Sequence, residues 1–273
     1  MMSVSKPVQR SKFRQLIGKE FFCIKEKIRW HREGIRFAKT RQKAELPFKI
    51  FKHQSVLLRK LKDVDMTLQQ NKITNLRLAI EKINGIIIRP GETFSVWKLV
   101  GRTTKFKGYL PGLTLSNGHL SEGIGGGLCQ LGNLIYWMVI HTQLTVTKRW
   151  RHSYDVFPDN GRTLPFGSGA TLSYNYIDLQ LRNDTQMDFQ LNFSLSEKNL
   201  HGSICCSEQP ELTYEVFEKN HRFDLQWWGG YTRHNEIWRR VTNESATNYG
   251  EELVTENHAI MMYNPLLEMK TKN

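Results

Sequence analysis

Phe13, Leu16, Ile17, Phe21, Ile24, Ile28 and Ile35 recur at spacings of three, four and seven, with lysine and arginine on most positions between them. This is the periodicity of an amphipathic helix with a basic polar face. Two readings of its stripe are open: it packs on the protein's own body, or it lies on an anionic membrane with its apolar side chains among the headgroups. Pro47 ends this section, and residues 48–62 read as a connector, strand or short helix. Between Asn71 and Asn84 the positions Ile73, Leu76, Ala79, Ile80 and Ile83 predict a second helix, closed by Asn84-Gly85 as a C-cap. Ile86-Ile87-Ile88 predicts a short buried strand, Pro90-Gly91-Glu92 a turn, and Thr93 to Trp97 a second β-rich run. Ser116-Asn117-Gly118-His119 carries a hairpin signal.

The chain then enters Gly123-Ile124-Gly125-Gly126-Gly127-Leu128-Cys129-Gln130. From Leu131 to His141 it is apolar nearly all round, which predicts a central buried helix with Cys129 in its first turn. Leu144 to Trp150 reads as a strand and Pro158-Asp159-Asn160-Gly161 as a turn. Residues 170–182 alternate between apolar and polar, and Phe189, Leu191, Phe193 and Leu195 alternate again, predicting an antiparallel sheet. Residues 210–260 are tryptophan-rich and irregular in pattern. The predicted fold is α+β: a central buried helix opening at a glycine-rich loop and a cysteine, packed on an antiparallel sheet, with a basic amphipathic N-terminal helix. Its divisions are 1–47 (the basic segment), 48–205 (the main domain) and 206–273 (a small β-rich appendage).

The charge distribution changes the picture at one end. Of the net +13, residues 1–62 hold 18 Lys and Arg against 4 Asp and Glu, which leaves 21 against 22 for the rest. Residues 10–43 are therefore expected to meet an anionic membrane surface, and nucleic acid is not expected as a partner. Cys23, Cys129, Cys205 and Cys206 match neither a disulfide framework nor a zinc site, so reduced thiols are predicted. No apolar stretch reaches the ~18–20 residues of a membrane span, and residues 1–7 lack the apolar run of a secretory signal. The expected location is cytoplasmic, peripheral on the inner face of the membrane. The sequons at Asn183, Asn192 and Asn243 are then chance matches.

The glycine loop is the candidate centre. A glycine cluster is used where the backbone needs unusual dihedrals or must let another group come close. A cysteine opening a helix meets free amide N–H groups and the positive end of the helix dipole, which favour its thiolate. Free cysteine is also a common small core residue.

The run Asn75 to Ala79, Ile83-Asn84-Gly85, Pro90 to Ser95, then Gly125-Gly126-Gly127-Leu128-Cys129-Gln130, Arg149 with His152-Ser153, Ala170-Thr171-Leu172, and Asp178 with Asn183 resembles the VanW family, associated with vancomycin-resistance gene clusters. The resemblance covers residues 48–205. It departs from the family pattern at Leu131-Gly132-Asn133, where small hydroxyl residues are usual, and at Gly169, where the family carries aspartate. It implies an accessory role in glycopeptide resistance or cell-wall metabolism, with a cell-wall precursor or peptide as partner.

The order of cysteine, histidine and carboxylate along the chain is that of papain-like and transglutaminase-like enzymes. Cys129 as nucleophile, His152 as base and Asp178 as its orienting group would suit a hydrolase or acyltransferase, with the amides of the glycine loop holding an oxyanion. Gly125, Gly126, Gly127, Gln130, Arg149, Ser153 and Asn183 are the expected substrate-binding residues. No cofactor or metal is expected; Cys129, His141 and His152 match no common zinc spacing. The alternative is a binding protein in which Cys129 fills core volume, His152 caps a strand end, Asp178 pairs with Arg182 or with a cross-strand neighbour, and the glycines serve close packing.

Overall fold

The computed structural model describes residues 11–58, 65–116, 118–156, 158, 163–243 and 248–265. Helix α1 (Lys12–Arg32) leads into strand β1 (Phe48–Val56), which resolves the predicted connector as a strand. Helix α2 (Met66–Ile83) starts five residues before the apolar periodicity does, because Asp65 caps it by accepting from the Thr67 amide. Strand β2 (Ile86–Ile88) is wholly buried, as its apolar run predicts. In the next run only Thr93–Ser95 is strand, β3; Ser95 accepts from the Lys98 amide and turns Val96–Val100 into a short helix, α3.

Strands β4 (Pro111–Ser116) and β5 (His119–Ile124) form the predicted hairpin, with Ser116 opposite His119. The buried helix is α4 (Cys129–Val139), followed by β6 (Thr145–Lys148) and a two-residue β7 (Tyr154–Asp155). Most of the turn read at 158–161 lies outside the described residues.

The alternating run 170–182 is not one strand. Only Gln180–Arg182, β8, is strand. Upstream, tertiary partners take its polar groups: the Ile177 carbonyl accepts from Trp97 Nε1, the Tyr174 carbonyl from the Cys23 thiol, and Asn175 Nδ2 donates to the Cys23 carbonyl. The segment folds into a turn bridged by Ser173 and Ile177.

Strands β9 (Phe189–Leu195) and β10 (Asn199–Cys206) complete an antiparallel sheet of order β1-β10-β9-β2. Helix α4 packs on its β1 and β10 strands. A side chain at Gly202 of β10 would come within 2.7 Å of Met138, so the helix sits directly on the sheet backbone there. Strands β3, β8 and β6 form a second sheet. The irregular pattern read at 210–260 hides long strands: β11 (Leu212–Leu225), β12 (Tyr231–Asn243) and β13 (Asn248–Met261) form an antiparallel meander, joined in parallel to β7. Their inward faces carry Arg, His and Asn, which hides the apolar alternation that marks strands elsewhere.

The apolar stripe of α1 faces outward. Phe13, Leu16, Ile17, Phe21, Ile24 and Ile28 are exposed, and the helix touches the body through buried Cys23, Glu26 and Trp30, with Glu20 paired to Arg102, Phe22 against Tyr176 and Arg29 bonded to Gln180. Glu26 anchors it by accepting from Lys148 at 2.7 Å and Gln180 Nε2 at 3.3 Å, and within the helix it also accepts from Arg29 at 2.7 Å and Trp30 Nε1 at 2.8 Å.

Candidate functional site

The glycine loop joins β5 to α4, and each of its three consecutive glycines answers a crowding demand. Gly125 has φ +77°, and a Cβ there would lie 2.6 Å from the Thr103 side chain. At Gly126 the obstacle is backbone: a Cβ would meet Gly112 at 2.2 Å. Gly127 has φ +92°, and a Cβ there would strike Lys72. Asn75 of α2 fixes the loop from beneath; its Nδ2 donates to the carbonyls of Gly126 (2.9 Å) and Leu110 (3.0 Å), and its Oδ1 accepts from the Leu110 amide (2.8 Å). Gln130 reaches away from the loop, donating to Ser55 Oγ and the Val56 carbonyl, both at 2.9 Å. The predicted binding glycines and Gln130 are therefore engaged in packing the loop against α2, β1 and β4.

Cys129 does open α4, but its thiol faces the segment 169–172. The Leu172 amide donates to Sγ at 3.4 Å, and Sγ donates to the Leu172 carbonyl at 3.7 Å. One turn on, Asn133 Oδ1 accepts from the Ala170 amide at 2.9 Å, and a side chain at Gly132 would collide with the Ala170 carbonyl. Cys129 and Asn133, four residues apart on one helix face, thus latch the 170–172 backbone. The residue keeps some exposure, yet burial of its sulfur pushes the thiol above the ordinary cysteine range, outweighing the amide bonds. The expected helix-terminus activation is overridden by desolvation.

His152 lies in the loop between β6 and β7 and makes no hydrogen bond among the described residues; burial lowers its pKa. Asp178 stands just ahead of β8. Its carboxylate accepts from Ser95 Oγ (2.6 Å), Gln180 Nε2 (2.9 Å) and the Leu179 (2.9 Å) and Trp97 (3.2 Å) amides, which ties it to the start of α3. Burial nonetheless pushes it up to about 6 against these four donors. No hydrogen bond joins Cys129, His152 and Asp178 to one another, so the predicted relay is not assembled. Of the two partners expected for Asp178 in the packing alternative, Arg182 bonds Asp184 instead, and the cross-strand neighbour is Ser95 of β3.

Asn183 is structural, bridging the Ile88 and Met187 carbonyls at 2.8 and 2.7 Å. Ser153 is exposed, and its carbonyl accepts from Ile260. His141 stacks on Phe51 and bonds the Trp137 carbonyl, and no group of three His, Cys, Asp or Glu among the described residues has metal-site geometry.

Arg149 spends its guanidinium on neutral acceptors: the Gly169 carbonyl at 2.8 Å, the Gly167 carbonyl and Thr255 Oγ1 at 3.1 Å, with its plane over Tyr136. Arg151, two residues on, has no hydrogen bond or ion pair among the described residues. It is half-buried, and one terminal nitrogen is shut off from solvent with no acceptor. Burial pushes its pKa down to about 10, and Arg149 adds to the shift. Residue order alone points to Arg149; which arginine of Arg149-Trp150-Arg151 lacks partners depends on Gly167 and Gly169, whose approach is a tertiary event. A cleft of about 480 Å³ lies elsewhere, between the end of α1 and α3, floored by Trp30, Phe37, Trp97 and Tyr174.

A family described as "VanW like protein" matches residues 71–205. The chain is 38% identical over 184 residues to the vancomycin B-type resistance protein VanW of Enterococcus faecalis, a span that is 67% of each protein. It is 33% identical over 109 residues to the uncharacterized protein YoaR of Bacillus subtilis, covering 40% of this chain and 34% of that one. No solved structure is a significant match.

Proposed function

We propose a function from the premise that this chain belongs to the VanW family: it is an accessory protein of glycopeptide resistance or cell-wall metabolism that receives a wall precursor by an anionic group and does not transform it. The family membership and the name of the Enterococcus relative support the broad role. The observation that carries the binding reading is Arg151, a half-buried guanidinium with no acceptor among the described residues, beside a second arginine. A half-buried cation with no counter-charge among the described residues is costly, and a carboxylate or phosphate seated against the part of the side chain that stays exposed would relieve that cost through charge-assisted bonds. The Cys129 thiol argues against catalysis at the loop, since burial raises its pKa and its hydrogen-bond partner among the described residues is the Leu172 backbone rather than a base.

The test is titration of the full chain with inorganic phosphate and with a short peptide carboxylate, followed by NMR. Binding should weaken by about tenfold or more in Arg151→Met and stay unchanged in Cys129→Ser. Equal binding by Arg151→Met would refute the site. The position of Cys129 in the first turn of α4 is what favours the second reading, a thiol hydrolase or acyltransferase on the precursor. That reading requires rapid alkylation of Cys129 at neutral pH, and slow alkylation that rises only with alkaline pH would end it.

A further inference from the structure

We infer that α1 is an interfacial membrane helix and that its outward apolar stripe docks on an anionic lipid surface, independently of what Arg151 binds. Phe13 is 73%, Ile24 58%, Ile17 54% and Ile28 53% exposed. At 100° per residue these four fall within about 60° of one another, and Leu16 and Phe21 border them. The face that meets the body, Cys23, Glu26 and Trp30, is centred well over a right angle away from that stripe. The helix thus turns its most apolar side to solvent and its anchoring side carries a carboxylate. A solvated helix in a soluble protein does the reverse, so the stripe awaits an apolar partner.

Charge selects that partner. The acidic side chains of α1 are already neutralised: Glu20 pairs with Arg102 at 2.7 Å, and Glu26 with Arg29 and Lys148. Arg14, Lys25 and Arg32 along one border of the stripe are exposed and have no ion pair among the described residues; exposed Lys27 stands on the other border. Apolar side chains flanked on both sides by long cations are the arrangement in which a helix sinks ~5–10 Å into the headgroup boundary while its lysines and arginines reach lipid phosphate. No described helix is long and apolar enough to cross a membrane, so α1 would lie on the surface.

The experiment is co-sedimentation of the full chain with vesicles of phosphatidylglycerol and phosphatidylcholine, with pure phosphatidylcholine vesicles alongside. The expected result is binding to the anionic vesicles that falls about tenfold or more both in Phe13→Ser/Ile17→Ser/Ile24→Ser and in Lys25→Gln/Lys27→Gln. These side chains are exposed, so circular dichroism should show both variants folded. Absence of vesicle binding by the wild type, or binding that neither variant changes, overturns the inference. So does concentration-dependent dimerisation that the triple variant abolishes without vesicle binding, which would give the stripe to a second copy of this chain.

Discussion

Helices α1 and α4 follow the same rule of apolar spacing and come to opposite ends. In α4 the apolar residues reach round the whole circumference, and the helix is swallowed between the β1-β10 face and the 169–172 segment, with Leu131, Ile135, Met138 and Val139 fully buried. In α1 the stripe is narrower, yet it points outward, while a glutamate with four donors faces in. Apolar periodicity says that a helix has two sides and is silent on which one the rest of the chain covers. When nearly every side is apolar, as in α4 beyond Gln130 and Asn133, little choice is left, so α4 is specified by its own sequence and α1 is not.

The contrast breaks most readily at the core. Ile135→Ala removes a side chain with no solvent exposure and should cost ~2–5 kcal/mol of unfolding free energy, whereas Ile24→Ala should stay within about 0.5 kcal/mol of wild type. Urea unfolding of both variants measures this directly. A loss at Ile24 comparable to that at Ile135 would mean that the α1 stripe is packed in solution.

Acid should strike the α4 side next. His141, just past the end of α4, is held neutral by burial, its pKa lowered from 6.5 to about 4. A histidine lowered in this way contributes stability above its unfolded pKa, and that contribution is lost as pH falls from 6.5 toward 4. Allowing for its partial exposure, the loss is roughly 2–3 kcal/mol. Asp178, raised to about 6 from 3.8, acts with the opposite sign: protonation relieves its burial, so it adds stability as pH falls through the same range. The informative quantity is therefore the difference between wild type and His141→Phe. Wild type should lose stability relative to His141→Phe between pH 7 and 4.5, and an unchanged difference would show that His141 titrates normally.

The same distinction governs how much of the molecule could be read from its residues. Ile86 to Ile88, the hairpin around Gly118 and α4 were legible because local pattern and burial agree there. The run 170–182 misled because its alternation is real but its carbonyls are claimed by Trp97 and by Cys23 of α1, neither of which is near in sequence. The meander β11 to β13 was obscured by buried polar residues such as Arg233 and Asn257. At the site, Cys129 was found at the head of its helix as expected. The latch to Leu172, the Ser95 and Trp97 donors on Asp178 and the solitary state of Arg151 all depend on long-range contacts that spacing does not encode.

The smallest effect tests the polar side of the contrast. Lys148 of β6 donates to Glu26 Oε2, and Lys148→Met removes this donor without creating a large cavity. Burial pushes the Glu26 carboxyl up, while Arg29 and Lys148 more than reverse it and hold it below the usual range. A buried charge stripped of its partner costs ~3–5 kcal/mol, but here Arg29, Trp30 Nε1 and Gln180 Nε2 at 3.3 Å remain, so the loss should be about 1 kcal/mol. It should also be local. The amides of α1 should exchange with solvent several-fold faster in Lys148→Met while those of α4 do not change, because only the contact between α1 and β6 is weakened. Exchange in α1 that stays at its wild-type rate would assign the anchoring to Cys23 and Trp30 instead, and the two helices would then differ only in which apolar side chains they bury.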